Sequence, residues 1–255
     1  MTSAKLVAFD LDDTLAESKS AITVEMGDAL RALLAVRPVC VISGGQFQQF
    51  STQLIDNLPK TADLTQLHIM PTCGTRYLRF VDEVWVEQYA RDLEPEVKAK
   101  AEAAIAARAK QLGLWEPDEV VRGERIEDRG SQLTFSALGQ EALLADKKAW
   151  DPTGEKRLAL RALLAEDLPD LEVRAGGSTS IDITHRGIDK AYGMERLAEE
   201  TGIPLTEMVF IGDRLDEGGN DYPVKEIGVP TLPVTDPSDT LRLIINLVAQ
   251  FEEQA

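Results

Sequence analysis

The sequence predicts an α/β fold, a doubly wound parallel sheet with an inserted α+β domain. Three observations carry this. The chain opens on an apolar strand and alternates helix with strand, the alternation resumes towards the C-terminal end, and strands between the two stretches do not alternate strictly with helices. The first strand is Lys5 to Asp12. A helix follows from Val24 to Val36, with Met26, Leu30, Leu33 and Leu34 on one stripe behind Thr23 as N-cap. Next come a strand from Pro38 to Ser43 and a helix from Gln46 to Asn57. The last stretch supplies a helix after Asp189, a strand from Met208 to Ile211 and a short strand near Gly228 to Leu232. In its closing helix Leu241, Ile244, Ile245 and Val248 have helical spacing behind Asp236 and Pro237.

The middle of the chain reads differently. Thr75 to Phe80 and Glu83 to Glu87 suit a hairpin turning at Val81-Asp82. An alanine-rich helix runs from Pro95 to Leu112 and stops at Gly113. A strand from Gln132 to Ser136, a helix from Glu155 to Leu164, and strands from Leu171 to Arg174 and Thr179 to Ile183 complete an antiparallel α+β insert. We place the core at residues 1–84 and 185–255 and the insert at 85–184.

With 255 residues, 44% of them apolar, the chain is long enough for one large or two modest domains. Its 27 basic and 44 acidic residues leave a net charge of −17, which argues against nucleic acid or an anionic membrane as partner. Any phosphate it binds must meet a local basic cluster or a metal. No apolar run approaches the ~20 residues of a membrane span, and no charged-then-apolar leader opens the sequence, so we expect a soluble cytoplasmic protein. Cys40 and Cys73 lack metal-binding or redox spacing and suit buried thiols in a reducing compartment.

Four segments stand where an α/β sheet places its site, past the carboxyl ends of strands. In the first, Asp10-Leu-Asp-Asp-Thr14, alternation puts Asp10 and Asp12 on one side, so one acid can attack or hold a metal while the other moves protons. The same residues also suit a turn that caps the next segment. In the second, Ser43-Gly44-Gly45, a hydroxyl and bare backbone amides suit oxyanions. The third is Lys190 at a helix start, and the fourth the acidic run from Asp213 to Asp221. Read singly, Ser43 is equally a cap, Lys190 a solvated charge and Gly218-Gly219 a turn.

Together and in this order they resemble the haloacid dehalogenase (HAD) superfamily of phosphotransferases, whose motifs are Asp-x-Asp-x-Thr/Val, a strand-end Ser or Thr, a lysine and a strand-end acidic cluster. The long gap between Ser43 and Lys190 fits the subgroup with an α+β cap inserted into the Rossmann-like core. Within it, Gly212 to Asp221, Ser43 to Gln46, Gly176 to Asp182 and Arg129 to Gly139 resemble eukaryotic-type phosphomannomutase. That family's substrate-binding positions fall on Lys19, Arg129, Gln140, Lys147, Ser180 and Asp182. The family has arginine at four of them; here one is kept, two are lysine, and Gln140 is uncharged. Asp13 stands where the family motif usually has glycine.

The resemblance implies that Asp10 becomes an aspartyl-phosphate while Asp12 protonates the leaving sugar oxygen and later deprotonates the acceptor. It implies Mg2+ on Asp10, the Asp12 backbone carbonyl and Asp213, an all-oxygen set that suits this ion. Lys190 then neutralises the transferring group, Ser43 and the Gly44 amide hold its oxygens, and Asp216 with Asn220 or Asp221 orients Lys190 and the metal. In the cap, Arg129 and Lys147 take the phosphate that is not reacting, and Ser180 and Asp182 take hydroxyls. The substrate implied is a phosphorylated sugar, with interconversion of mannose 6-phosphate and mannose 1-phosphate as the first reading and a sugar-phosphate phosphatase as the alternative. A silent phosphosugar-binding protein or a phosphorylatable receiver domain fits less well, because no motif residue is missing and a receiver needs neither cap nor Ser43-Gly44-Gly45. Mutases of the family often pair through their caps, so a homodimer built there is also implied.

Overall fold

The computed structural model describes residues 4–253, without the side chain of Leu144. Its first elements are β1 (Leu6–Phe9), α1 (Val24–Leu34), β2 (Val39–Ile42), α2 (Phe47–Gln53), β3 (Leu67–Met70), β4 (Arg76–Val81) and β5 (Val84–Ala90). Then come α3 (Pro95–Gln111), β6 (Ile126–Asp128), β7 (Gln132–Ser136), α4 (Leu144–Trp150), α5 (Glu155–Asp167), β8 (Leu171–Ala175) and β9 (Ser180–His185). The chain closes with α6 (Lys190–Thr201), β10 (Met208–Gly212), α7 (Tyr222–Glu226), β11 (Thr231–Pro233) and α8 (Pro237–Glu252).

Two units form. One contains the chain up to Ala90 and from Ile188 onward, the other Arg91–Gly187. In the first, a sheet of order β11-β10-β1-β2-β3-β4-β5 is parallel from β11 to β3 and ends in the antiparallel hairpin β4-β5. Strand alternation sends Val7, Phe9, Val41 and Ile211 to one face, against Leu30 and Leu33 of α1 and Ile244 and Leu247 of α8. Leu6, Ala8, Ile42 and Phe210 go to the other face, against Met194 and Leu197 of α6 and Val224 of α7. Helices on both faces make the sheet doubly wound, as expected. β2 and β3 lie to one side of β1, β10 and β11 to the other, so strand order reverses between β1 and β10, where Phe9 pairs with Ile211. At such a switch point the connecting helices diverge to opposite faces and leave a crevice past the strand ends.

The N-caps read from the sequence hold, since Thr23 and Asp236 accept the amides of Met26 and Asp239, and Asp189 likewise caps α6 by accepting the Tyr192 amide. Some details differ, and β6, α4 and α7 were not expected. The expected helix to Asn57 breaks after Gln53 into a 3-10 turn at Ile55–Asn57. The hairpin turns one residue later, at Asp82-Glu83, both in the left-handed region. It extends the large sheet, so the first unit runs to Ala90 where the sequence reading put a boundary at residue 84. β3 went unread because His68 interrupts its apolar run; burial, and then the Arg79 charge, push His68 down to about 3, and neutral it sits 2.7 Å from the Tyr77 hydroxyl.

The inserted unit has an antiparallel sheet of order β6-β7-β9-β8. Leu133, Phe135, Ile181, Ile183 and Val173 face a core closed by Ala101 and Ile105 of α3 and Leu160 and Leu164 of α5. Alternation leaves the opposite face polar, with Glu127, Thr134, Asp182 and Arg174 paired in one row across the four strands. Trp115 and Trp150 pack against the apolar core. Among the described residues no helix is long and apolar enough to cross a membrane.

Candidate active site

Topology alone makes Asp10 and Asp213 neighbours, since they directly follow β1 and β10. The side chains then converge. Lys190, the first residue of α6, is 1% exposed and places Nζ 2.7 Å from Asp10 Oδ1 and 2.5 Å from Asp221 Oδ1. Asp10 Oδ1 also accepts the Leu11 amide, and Thr14, fully buried, donates its hydroxyl to Asp213 at 3.3 Å. Asp221 further accepts the Arg214 amide at 3.1 Å, an approach that Gly212 permits, since a Cβ there would lie 2.3 Å from Asp221 Oδ2. Carboxylate oxygens of Asp10, Asp213 and Asp221 lie within 4.8 Å of one another.

The electrostatics follow from burial. Burial raises the Asp10 carboxyl, to about 7, against the pull of Lys190 and with help from the Asp221 charge. Burial opposes the Lys190 charge, but Asp10 and Asp221 outweigh it and push the ammonium up. Asp213 is raised by burial and by Asp221. When all three carboxyls are ionised, they leave the cluster two negative charges in excess over the one ammonium, and their all-oxygen donor set is one that a divalent cation such as Mg2+ would balance. Asp10, Asp213 and Asp221 are the side chains that would hold it.

Placement of the remaining motif residues is mixed. Ser43 is buried after β2, its hydroxyl accepting the Gly45 amide at 3.3 Å, with Gly44 half-buried beside it. Asp12 turns to α2: its carboxylate accepts from Gln49 at 2.8 Å, Gln53 at 3.3 Å and the Lys19 amide at 2.9 Å. Lys19 is exposed with φ 59°, and Asp13, at φ 58°, adopts a conformation in which the usual glycine of this motif would be unstrained. In place of that glycine, the Asp13 carboxylate accepts the Ser18 amide at 3.1 Å. The expected orienting trio resolves into one residue. Asp221 reaches Lys190, whereas the Asp216 carboxylate is 71% exposed near Arg214, and Asn220 is exposed. Of Asp216, Asn220 and Asp221 only Asp221 turns inward, and its carboxylate also closes the loop on the Arg214 amide.

In the inserted unit Arg129, Lys147 and Asp182 each have polar partners. Gln132 donates to Thr134, and Thr134 to Asp182 at 2.8 Å. Burial raises the Asp182 carboxyl, against the Thr134 hydrogen bond and the Arg129 charge. Arg129 donates through Nε and Nη2 to Glu127. Lys147, on α4 and 8% exposed, donates to the Gln140 carbonyl at 2.8 Å, while Ser180 pairs across from Ser136 on the same polar face. The sequence reading missed Gln49, Gln53 and the part of Thr14; the four-residue spacing of the glutamines on a predicted helix was the available signal.

The chain is similar to known proteins in sequence and in fold. The family model described as eukaryotic phosphomannomutase matches residues 111–250. The phosphomannomutase of Spinacia oleracea is 26% identical over 263 residues, covering 94% of each chain. That of Saccharomyces cerevisiae is 27% identical over 251 residues, covering 95% of this chain and 93% of that protein. A haloacid dehalogenase-like hydrolase from Bacteroides thetaiotaomicron superposes with a TM-score of 0.66 at 16% identity, covering 96% of this chain and 99% of its own, a likeness of fold. A HAD-like core with a buried aspartate-lysine cluster, matched by that model over more than half its length, places this chain in the eukaryotic phosphomannomutase family.

Proposed function

We propose that the protein transfers the phosphoryl group of a hexose phosphate through an aspartyl-phosphate on Asp10, with Mg2+, and interconverts mannose 6-phosphate and mannose 1-phosphate. The observation that supports this most is the buried Lys190 ammonium seated between Asp10 and Asp221 beside Asp213. Asp10 attacks phosphorus; Lys190 offsets charge on the transferring oxygens; Ser43 and the Gly44 amide orient them. Mg2+, when bound, adds positive charge at those oxygens. Asp12 gives a proton to the leaving sugar oxygen and takes one from the acceptor. Lys19, Arg129, Gln140, Lys147, Ser180 and Asp182 bind the rest of the sugar phosphate, and the protein works in the cytoplasm, paired through its inserted unit.

The test is incubation of mannose 1-phosphate with Mg2+ and a catalytic amount of hexose bisphosphate, following free phosphate and the 6-phosphate together. We expect the 6-phosphate to accumulate well ahead of free phosphate; release of phosphate alone moves the assignment to a phosphatase. Asp12→Ala is expected to lower turnover about 100-fold or more while Mg2+ binding, read by thermal shift, persists. A full-rate variant contradicts the proton-transfer role.

Phosphatase is the second reading, and the region around Gln140 favours it. A neutral amide stands where the family has arginine, and the neighbouring Lys147 ammonium is engaged by the Gln140 carbonyl. A charge-assisted contact is worth roughly 1.5–3 kcal/mol, or about ten- to a hundredfold in affinity. Gln140→Arg is therefore expected to raise isomerisation more than hydrolysis if a second phosphate is bound there. The opposite ratio, in the same two-product assay, supports the phosphatase.

A further inference from the structure

We propose that Gln49 and Gln53 are positioning residues that fix the direction of the Asp12 carboxylate for proton transfer, an inference that rests on the acid–base reading of Asp12. The two residues stand four apart on α2, on one side of the helix. Gln49 Nε2 is 2.8 Å from Asp12 Oδ2, and Gln53 Nε2 is 3.3 Å from Oδ1, which also accepts the Lys19 amide. Both carboxylate oxygens are thus held, and the group cannot rotate without giving up donors at both.

The glutamines also orient each other. Gln49 Nε2 reaches Gln53 Oε1 at 3.0 Å, so the Gln53 oxygen is taken and its amino group is left for Asp12. Gln53 is 3% exposed, at a point of the helix where an apolar residue would pack at less cost in desolvation. Gly45 makes room for the arrangement: a Cβ there would lie 1.9 Å from Gln49 Oε1.

In the first half-reaction an Asp10 oxygen bonds phosphorus as the phosphorus–sugar oxygen bond breaks, and the Asp12 proton goes to that oxygen. In the second, the acceptor hydroxyl loses its proton to Asp12, its oxygen bonds phosphorus, and the Asp10–phosphorus bond breaks. A misdirected Asp12 therefore harms substrates whose leaving group needs a proton and spares those whose leaving group does not.

The experiment compares Gln49→Leu and Gln53→Leu with the unaltered protein on mannose 1-phosphate and on p-nitrophenyl phosphate, whose phenolate departs unprotonated. We expect kcat/KM on the sugar phosphate to fall at least about tenfold further than on the aryl phosphate, with melting of Gln49→Leu unchanged. Equal losses on both substrates, no loss, or a gain on the sugar phosphate overturn the proposal. Failure of the unaltered protein to turn over either substrate, with no label on Asp10, removes the phosphoryl-transfer reading beneath it and is a distinct result.

Discussion

Asp10→Asn is expected to lower turnover by roughly four orders of magnitude or more, with the fold retained. An amide of the same shape cannot become an acyl phosphate, so both half-reactions lose their covalent intermediate. Stability is not expected to fall. Burial disfavours the charged form of Asp10, raising its carboxyl to about 7, and Lys190 keeps Asp221 when the charge at residue 10 is removed. Quenched reactions with a labelled hexose phosphate should label a peptide containing Asp10 in the unaltered protein and none in the variant. Activity that survives the substitution, or label on another residue, refutes the covalent role.

Lys190→Met has the second largest expected effect, on stability as well as on rate. Methionine fills much of the same space but leaves Asp10, Asp213 and Asp221 without their cation. Breaking a buried ion pair by removing one partner typically costs about 3–5 kcal/mol. The pH dependence has a definite sign. Without Lys190 the Asp10 and Asp213 carboxyls, already raised by burial, are held still higher above their unfolded values. Their stabilising protonated forms are fully present below the unfolded values and are lost as pH rises through the folded ones. The deficit in melting temperature against the unaltered protein should therefore widen as pH rises above about 7, where Asp10 ionises in the unaltered protein but stays protonated in the variant, and Mg2+ should narrow it. Turnover should fall about 100-fold or more. A deficit independent of pH means the carboxyls do not depend on Lys190.

Most of the candidate site was legible because strand ends and parallel topology leave little freedom. Asp10, Ser43 and Asp213 each follow an apolar strand, so the two-residue period and the strand order bring them to one edge of the sheet. The acidic run from Asp213 to Asp221 was legible as a group but not residue by residue. Asp216, Asn220 and Asp221 read alike, and only the closure of the loop onto the Arg214 amide separates the buried carboxylate from the exposed side chains. Gln49 and Gln53 were unread for a related reason. Their spacing shows that they share a helix face, but which loop that face meets depends on how α2 approaches Asp12. β3 failed for a local reason, since a histidine reads as polar until burial and a hydroxyl partner hold it neutral.

What the sequence determined by itself is most of the elements, their alternation, the four motifs at strand and helix ends, and with them the family. These depend on side-chain periodicity and on connection rules that act over a few residues. Only the tertiary structure decided the partners of each charge: Asp221 on Lys190, the glutamines on Asp12, Lys147 on the Gln140 carbonyl. Pairing of that kind follows from which groups burial forces together, and burial is a property of the packed chain rather than of any local stretch.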